Sequence, residues 1–301
     1  MKVLKTLALS LLSFLLFLSL SVLGLAFTLN STILNPDFIV GELDKLDMYS
    51  LAREWLGEQI SEFEVDARYQ PYVDRVLNDT LADLEPWLER ETNGAVHTGY
   101  DYFLGRSERL SLVISTEPVR DSLKQNLRET VFDSPPPELQ GLPPSVIEPY
   151  LNEAYRQIDQ QIPPTLEFDQ ATLDPEAVAS LEQTRQVIGY FQLGFKLLIG
   201  FILLLILSIV MIYREIRGAT RGLGITFLIC GVITYLGNLA VKYFAGARIT
   251  QIAMPVEYRA LLPRLLVDIL VPLDIYSIVL AAIGVALIIV SFVYKPHQSS
   301  F

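Results

Sequence analysis

The sequence predicts an all-α membrane protein with four transmembrane helices and a mainly helical extracytoplasmic domain inserted between helices 1 and 2. Of its 301 residues, 51% are hydrophobic, and four runs contain no Asp, Glu, Lys or Arg. Each run is close in length to the roughly 20 residues that a helix needs to cross about 30 Å of hydrocarbon. Apolar residues in the long segment between the first two runs recur at helical spacing. The four runs are residues 6–29, 197–213, 222–241 and 275–294.

The distribution of basic residues predicts the orientation of these helices. Lys2 and Lys5 precede the first run, three arginines fall in residues 214–221, and Lys295 follows the fourth run. Cytoplasmic segments of membrane proteins are enriched in Lys and Arg, so both termini are predicted to lie in the cytoplasm of a plasma (inner) membrane. The predicted transmembrane helices are residues 1–29, 187–213, 222–243 and 272–294. Residues 30–186 are assigned to the outside, 214–221 to a cytoplasmic loop, 244–271 to an external loop and 295–301 to a cytoplasmic tail.

The first run has a second interpretation as a cleaved signal peptide. Residues 24–26, Gly-Leu-Ala, resemble the site that signal peptidase cuts, and Lys2 and Lys5 would form the basic region. The uncharged run, however, is longer than the apolar core of about 7–15 residues in a usual signal peptide. A retained anchor is therefore favoured, and both interpretations leave residues 30–186 outside.

The external segment is predicted to be an acidic, mostly helical extracytoplasmic domain. Residues 30–186 contain 30 Asp and Glu against 12 Lys and Arg, a net charge of −18. Three sets of apolar residues each form one stripe of a helix whose opposite face is charged. The stripes are Tyr49, Ala52, Leu56, Ile60 and Phe63; Val73, Leu77, Leu81, Leu84 and Leu88; and Val119, Leu123, Leu127 and Val131.

Local motifs predict further elements in this domain. The segment 98–105 is expected to be helical, with Gly105 in the left-handed conformation that ends many helices. Residues 109–116 alternate apolar and polar side chains as a strand does, although no partner strand is evident. Ser115 or Thr116 is positioned to cap a helix that runs to about residue 132.

Prolines divide the rest of the domain. Six of them in residues 134–149 favour extended backbone up to about Pro144, and this interval is interpreted as a proline-rich strap. The sequence Asp174-Pro175-Glu176 is a strong helix start, with an aspartate cap, proline in the first turn and an acid beside it. No proline follows until Pro255, so one helix is expected to run from Pro175 through the second span to about Arg217.

The sequence predicts no catalytic residue, cofactor or metal. Motifs for a nucleophile elbow, a phosphate-binding loop, a dinucleotide fingerprint, a paired-histidine zinc site and a calcium loop are all missing. The single cysteine, Cys230, excludes an intrachain disulfide and is interpreted as a packing residue. The two histidines, His97 and His297, fall on opposite sides of the predicted membrane, which argues against a zinc site.

One group of polar residues lies at a common depth in the predicted spans. At about 1.5 Å per helical residue, these residues are roughly 26–31 Å from the cytoplasmic basic residues, near the outer edge of the hydrocarbon. They form a candidate outer polar cluster, interpreted either as side chains that reach the headgroups and bond neighbouring helices or as an ion-paired ring that gates or couples movement. The residues are Lys196, Asn238, Lys242 and Asp274.

The segment 255–276 combines apolar residues with scattered charges and is predicted to divide in two. A straight helix from Pro263 to the end of the fourth span would exceed the bilayer core, so a break is expected at Pro272. The part before it is interpreted as an interfacial helix with Arg264 and Asp268 on its polar face.

These features favour a non-enzymatic multi-pass membrane protein whose external helical domain binds a partner or self-associates. A pore-forming or transport-associated subunit is the alternative, and a membrane-bound enzyme comes third. The middles of the predicted spans contain no ionisable Asp, Glu, Lys, Arg or His, which argues against ion-coupled transport. The expected partners are the lipid bilayer and either a second copy of the chain or another envelope protein, with no nucleic acid.

Overall fold

A computed structural model describes residues 2–45, 68–213, 215–249 and 256–293. The predicted helical stripe from Tyr49 to Phe63 lies outside these described residues. Of these described residues 84% are helical, which confirms the predicted helical class. The described helices are α1 (Lys2–Ser31), α2 (Pro36–Asp44), α3 (Gln70–Phe103), α4 (Glu117–Asp133), α5 (Pro144–Gln161), α6 (Pro175–Tyr213), α7 (Ile216–Ile249) and α8 (Val256–Val293), and the strands are β1 (Ser111–Ser115) and β2 (Thr165–Asp169).

The chain divides into two compact units. The first, here called the bundle unit, comprises Met1–Phe38 and Gln186–Phe301. The second, here called the inserted unit, comprises Ile39–Arg185. That this unit is the external domain expected at residues 30–186 stays a prediction.

Among the described residues, four helices are long and apolar enough to cross a membrane, as predicted. These segments are Val3–Ser31, Pro175–Tyr213, Ile216–Phe244 and Leu262–Val293. All four contribute to one buried apolar cluster, in which Cys230 is fully enclosed as a packing residue. The cluster consists of Leu16, Leu20, Ile202, Leu205, Ile209, Leu223, Cys230 and Leu280.

Helices α7 and α8 are antiparallel and approach so closely that their backbones touch. A β-carbon on Gly284 would lie 2.5 Å from the Leu228 nitrogen, and one on Gly231 would lie 2.7 Å from the Ser277 oxygen. A β-carbon on Gly224 would lie 2.8 Å from the Gly284 oxygen. Such distances exclude any side chain, so glycine is what permits the close packing.

These contacts repeat every seven residues along both helices. Gly224, Gly231 and Asn238 on α7 lie opposite Gly284, Ser277 and Leu270, respectively, on α8. A seven-residue spacing keeps one face of a helix against its partner, as in coiled coils. The α7–α8 pair is therefore a three-level interface with glycine at two levels and an asparagine at the third.

Helix α8 corrects the predicted break at Pro272. It continues through both Pro263 and Pro272, so the interval before residue 272 belongs to the same helix as the fourth span. Proline at 272 removes one backbone hydrogen bond, but Asn238 on α7 bonds both Leu270 and Asp274, one on each side of it. This bridging contact holds α8 along α7 across the proline.

In the inserted unit, α3 joins two predicted helical segments into one helix of 34 residues. It ends as the sequence predicts, because Gly105 has a φ of 73°. The Gly105 amide donates to the Tyr102 carbonyl at 3.1 Å and the Arg106 amide to the Asp101 carbonyl at 2.8 Å, which are the two bonds of a Schellman motif.

The predicted strand in residues 109–116 exists and has a partner that the sequence did not reveal. Strand β1 pairs antiparallel with β2, with Val113 opposite Glu167. The following helix α4 begins and ends close to its predicted limits. Thr116, however, does not cap it through its side chain: its hydroxyl donates to the Pro163 carbonyl beside β2.

The proline-rich strap is shorter than predicted. Helix α5 begins at Pro144, about where the extended backbone was expected to end, and it includes Pro149, so the last part of the 134–149 interval is helical. Proline is tolerated in the first helical turn because the amides there have no helical partner. On one face of α5, Ile147 and Leu151 are buried against Val131 of α4.

A polar contact joins α3 and α4 inside the same unit. The Asn126 side chain is 5% exposed, and its amide donates to an Asp83 oxygen at 2.8 Å and to the Thr80 hydroxyl at 3.3 Å. On the surface, Lys124 of α4 contacts Asp159 of α5 at 2.6 Å. The inserted unit is thus held by apolar, buried polar and surface ionic contacts of its own.

Candidate functional site

Three of the four residues in the candidate outer polar cluster meet between α7 and α8. Asn238 and Lys242 are four residues apart on α7 and share a face, as do Leu270 and Asp274 on α8. The Asn238 amide donates to one Asp274 oxygen at 2.6 Å and to the Leu270 carbonyl at 3.1 Å. The Lys242 ammonium donates to the other Asp274 oxygen. Both oxygens of the carboxylate are therefore occupied.

Burial makes this contact energetically important. The Lys242 and Asp274 side chains are 21% and 26% exposed, and Asn238 is 3% exposed. In such surroundings an unpaired charge is costly, whereas a paired and hydrogen-bonded one is tolerated. Together, Asn238, Lys242 and Asp274 have no net charge, and their contacts link α7 to α8.

The Asn238 side chain also has an unused acceptor. Its Oδ1 atom is buried, and no donor among the described residues reaches it. The amide nitrogen, by contrast, makes two bonds, so the side-chain orientation is determined by Asp274 and Leu270. Leaving a buried acceptor unpaired costs about 1–3 kcal/mol, which the two amide bonds must offset.

Lys196 does not join the cluster in the part of the chain that the structure describes. It lies on α6, and its side chain is exposed. Counting residues from the predicted cytoplasmic end gives the level of a residue in a helix but not the face of the helix on which it lies. The four residues therefore divide into a closed group of three and a separate exposed lysine.

The residues of the candidate interfacial helix lie on the first half of α8. Arg264 is exposed and Asp268 is partly buried. They share a continuous helix with Asp274, because α8 does not break at Pro272.

Nothing in the described residues assembles a metal centre. Groups of three or more His, Cys, Asp or Glu side chains that could hold an ion are not found there. The cluster itself contains one carboxylate, already occupied by an ammonium and an amide. Its chemistry is that of charge pairing between helices.

A second polar contact, absent from the sequence-based list, lies in the inserted unit. Tyr102 is 1% exposed, and the Arg185 guanidinium lies 4.8 Å from the centre of its ring. Arg185 also donates to the Ser107 carbonyl at 3.0 Å and to the Glu108 carbonyl at 3.3 Å. This side chain therefore attaches the first part of α6 to the end of α3. Only the helical character of both segments was visible in the sequence.

Burial also affects one tyrosine of α3. The pKa of the Tyr100 hydroxyl is raised above its ordinary value because burial disfavours the charged phenolate. Tyr100 is therefore uncharged over the physiological pH range.

Comparison of the chain with family models, with curated proteins and with solved structures gives no match.

Proposed function

We propose that the chain is a non-enzymatic multi-pass protein of a plasma (inner) membrane, and that its inserted unit lies outside and binds a protein partner or a second copy. The observation that supports this proposal is the inserted unit itself, Ile39–Arg185, which has its own buried core. Residues 30–186, which include it, carry a net charge of −18. A large, independently packed and strongly acidic unit is suited to binding a basic protein surface, because charge complementarity steers association.

The composition of the detergent-extracted complex tests this function. We expect a particle larger than the 33.8 kDa chain, containing a second copy or another protein, that dissociates as salt is raised. Mass measurement in detergent with identification of co-purifying proteins gives the answer. A salt-independent monomer without any bound protein would contradict the proposal.

A pore-forming or transport-associated subunit is the second candidate, favoured by the exposed Lys196 on α6. A ring of copies could bring several such lysines around one axis. The same mass measurement bears on this candidate, because a ring of several copies of the chain would support the pore, whereas a complex with a different protein would support the binding function. The mutual pairing of Lys242 and Asp274 within one chain favours the binding protein.

Cysteine labelling tests the proposed orientation. In a Cys230→Ser background, Arg264→Cys is expected to react with a membrane-impermeant maleimide added to intact cells. Arg217→Cys, the matched control in the 214–221 loop, is expected to react only after permeabilisation. The reverse pattern would overturn the orientation. The exposed side chains of Arg264 and Arg217 make both positions suitable for labelling.

A further inference from the structure

A groove runs between α1 and α7 in the bundle unit. Its volume is about 380 Å³, within the range of small-molecule sites. Thr226 is buried at its base, while Phe14 and Ile229 are exposed at its rim. The other lining residues are Ser13, Phe17, Gly222 and Ile225.

The chemistry of this groove suits a hydrocarbon chain. Both walls belong to runs without charged residues, so the groove faces lipid once the helices are in a membrane. The Thr226 hydroxyl donates to the Gly222 carbonyl at 3.0 Å, so the polar group at the base of the groove already has a hydrogen-bond partner. From Gly222 to Ile229 the groove is only about 10 Å long, or two helical turns, which is short for the packing of another helix.

Polar groups stand at one end of the groove. A β-carbon on Gly222 would lie 2.8 Å from the Tyr213 hydroxyl, so the glycine makes room for this phenol at the groove's end. The Tyr213 ring also covers Gly218, and the neighbouring row on α7 carries the exposed residues Arg217 and Arg221. Residues 214–221 contain three arginines and one glutamate, a net charge of +2.

We propose that this groove binds one acyl chain of an anionic phospholipid, whose phosphate is held by Tyr213, Arg217 and Arg221. Guanidinium groups bind phosphate strongly, and tyrosine is enriched at the level of lipid headgroups. The proposal rests on membrane insertion of the four helices, which is part of the proposed function, but not on the partner or the orientation.

Lipid retention by the purified full-length protein tests the site. The protein is equilibrated in mixed micelles of phosphatidylglycerol and phosphatidylcholine, and bound lipids are counted by native mass spectrometry. We expect preferential retention of phosphatidylglycerol. Ser13→Phe, which fills the groove, is expected to reduce retention of both lipids, whereas Ser208→Phe on α6, the matched control outside the groove, is not.

Variants of the proposed phosphate-binding residues distinguish headgroup binding from acyl-chain binding. Tyr213→Phe keeps the ring and removes the hydroxyl, and Arg221→Gln removes one charge. Each is expected to weaken phosphatidylglycerol retention about tenfold, the usual effect of losing a hydrogen bond to a charged group, with phosphatidylcholine unchanged. Equal retention of the two lipids by the native protein would overturn the proposal, as would equal effects of Ser13→Phe and Ser208→Phe. Failure of the partner experiment would leave these results unaffected.

Discussion

Asp274→Ala is expected to destabilise the bundle unit by about 3 kcal/mol, because it leaves the Lys242 ammonium without its counter-ion between α7 and α8. The variant also removes the acceptor of the 2.6 Å bond from Asn238, whose amide then keeps only its bond to the Leu270 carbonyl. Unfolding of the detergent-solubilised protein by a denaturing detergent, followed by circular dichroism, measures the change. The estimate is at the low end for a buried pair, since 26% of the Asp274 side chain is exposed.

Two double variants show whether the pairing causes this effect. In Lys242→Ala/Asp274→Ala no charge is left unpaired, so the double variant is expected to lose less stability than the sum of the two single variants. The exchange Lys242→Asp/Asp274→Lys is expected to restore part of the stability that either single exchange removes. If the stability losses of the two single variants are additive and the exchange restores no stability, the ion pair does not stabilise the contact between α7 and α8.

Gly284→Ala is expected to force α7 and α8 apart and to cost about 2–3 kcal/mol, the usual range for overpacking. The added carbon would lie 2.5 Å from the Leu228 nitrogen and 2.8 Å from the Gly224 oxygen. Both are backbone atoms, so no side-chain rotation can relieve the clash. The same unfolding measurement detects the loss.

Gly237→Ala is the matched control for this substitution. It lies on α7 in a position where a β-carbon would meet nothing within 4 Å. Alanine is at least as favourable as glycine in a helix, so stability is expected to change by less than about 1 kcal/mol or to rise. If both alanine variants behave alike, close backbone contact does not stabilise the helix pair.

The four membrane-length helices were predictable because the length and the apolar character of a segment can be read from the sequence alone. A run of about 20 residues without charge is recognisable whatever it packs against. The same holds for Gly105 and for the start of α6 at Pro175, where local motifs decide the backbone. These elements depend on neighbours within a few residues.

The contacts between elements were not predictable in this way. Depth counting placed four polar residues at one level but could not exclude Lys196, whose side of the helix depends on packing. The break expected at Pro272 depended on local propensity, and a side chain from another helix overrides it. The seven-residue spacing of Gly224, Gly231 and Asn238 was present in the sequence, but only the position of α8 shows that these residues form a helix–helix interface.

The pairing of β1 with β2 has a consequence for how the chain is made. Ser111 lies opposite Asp169, so the two strands are separated by the whole of α4 and α5. Pairing two strands this far apart in the sequence costs loop-closure entropy, and it requires the intervening chain to be present. During synthesis, β1 therefore emerges with an open hydrogen-bonding edge, and α4 and α5 have time to pack before β2 arrives. Unpaired edges invite pairing with other chains, so we expect β1 to be open to incorrect pairing until β2 has been synthesised.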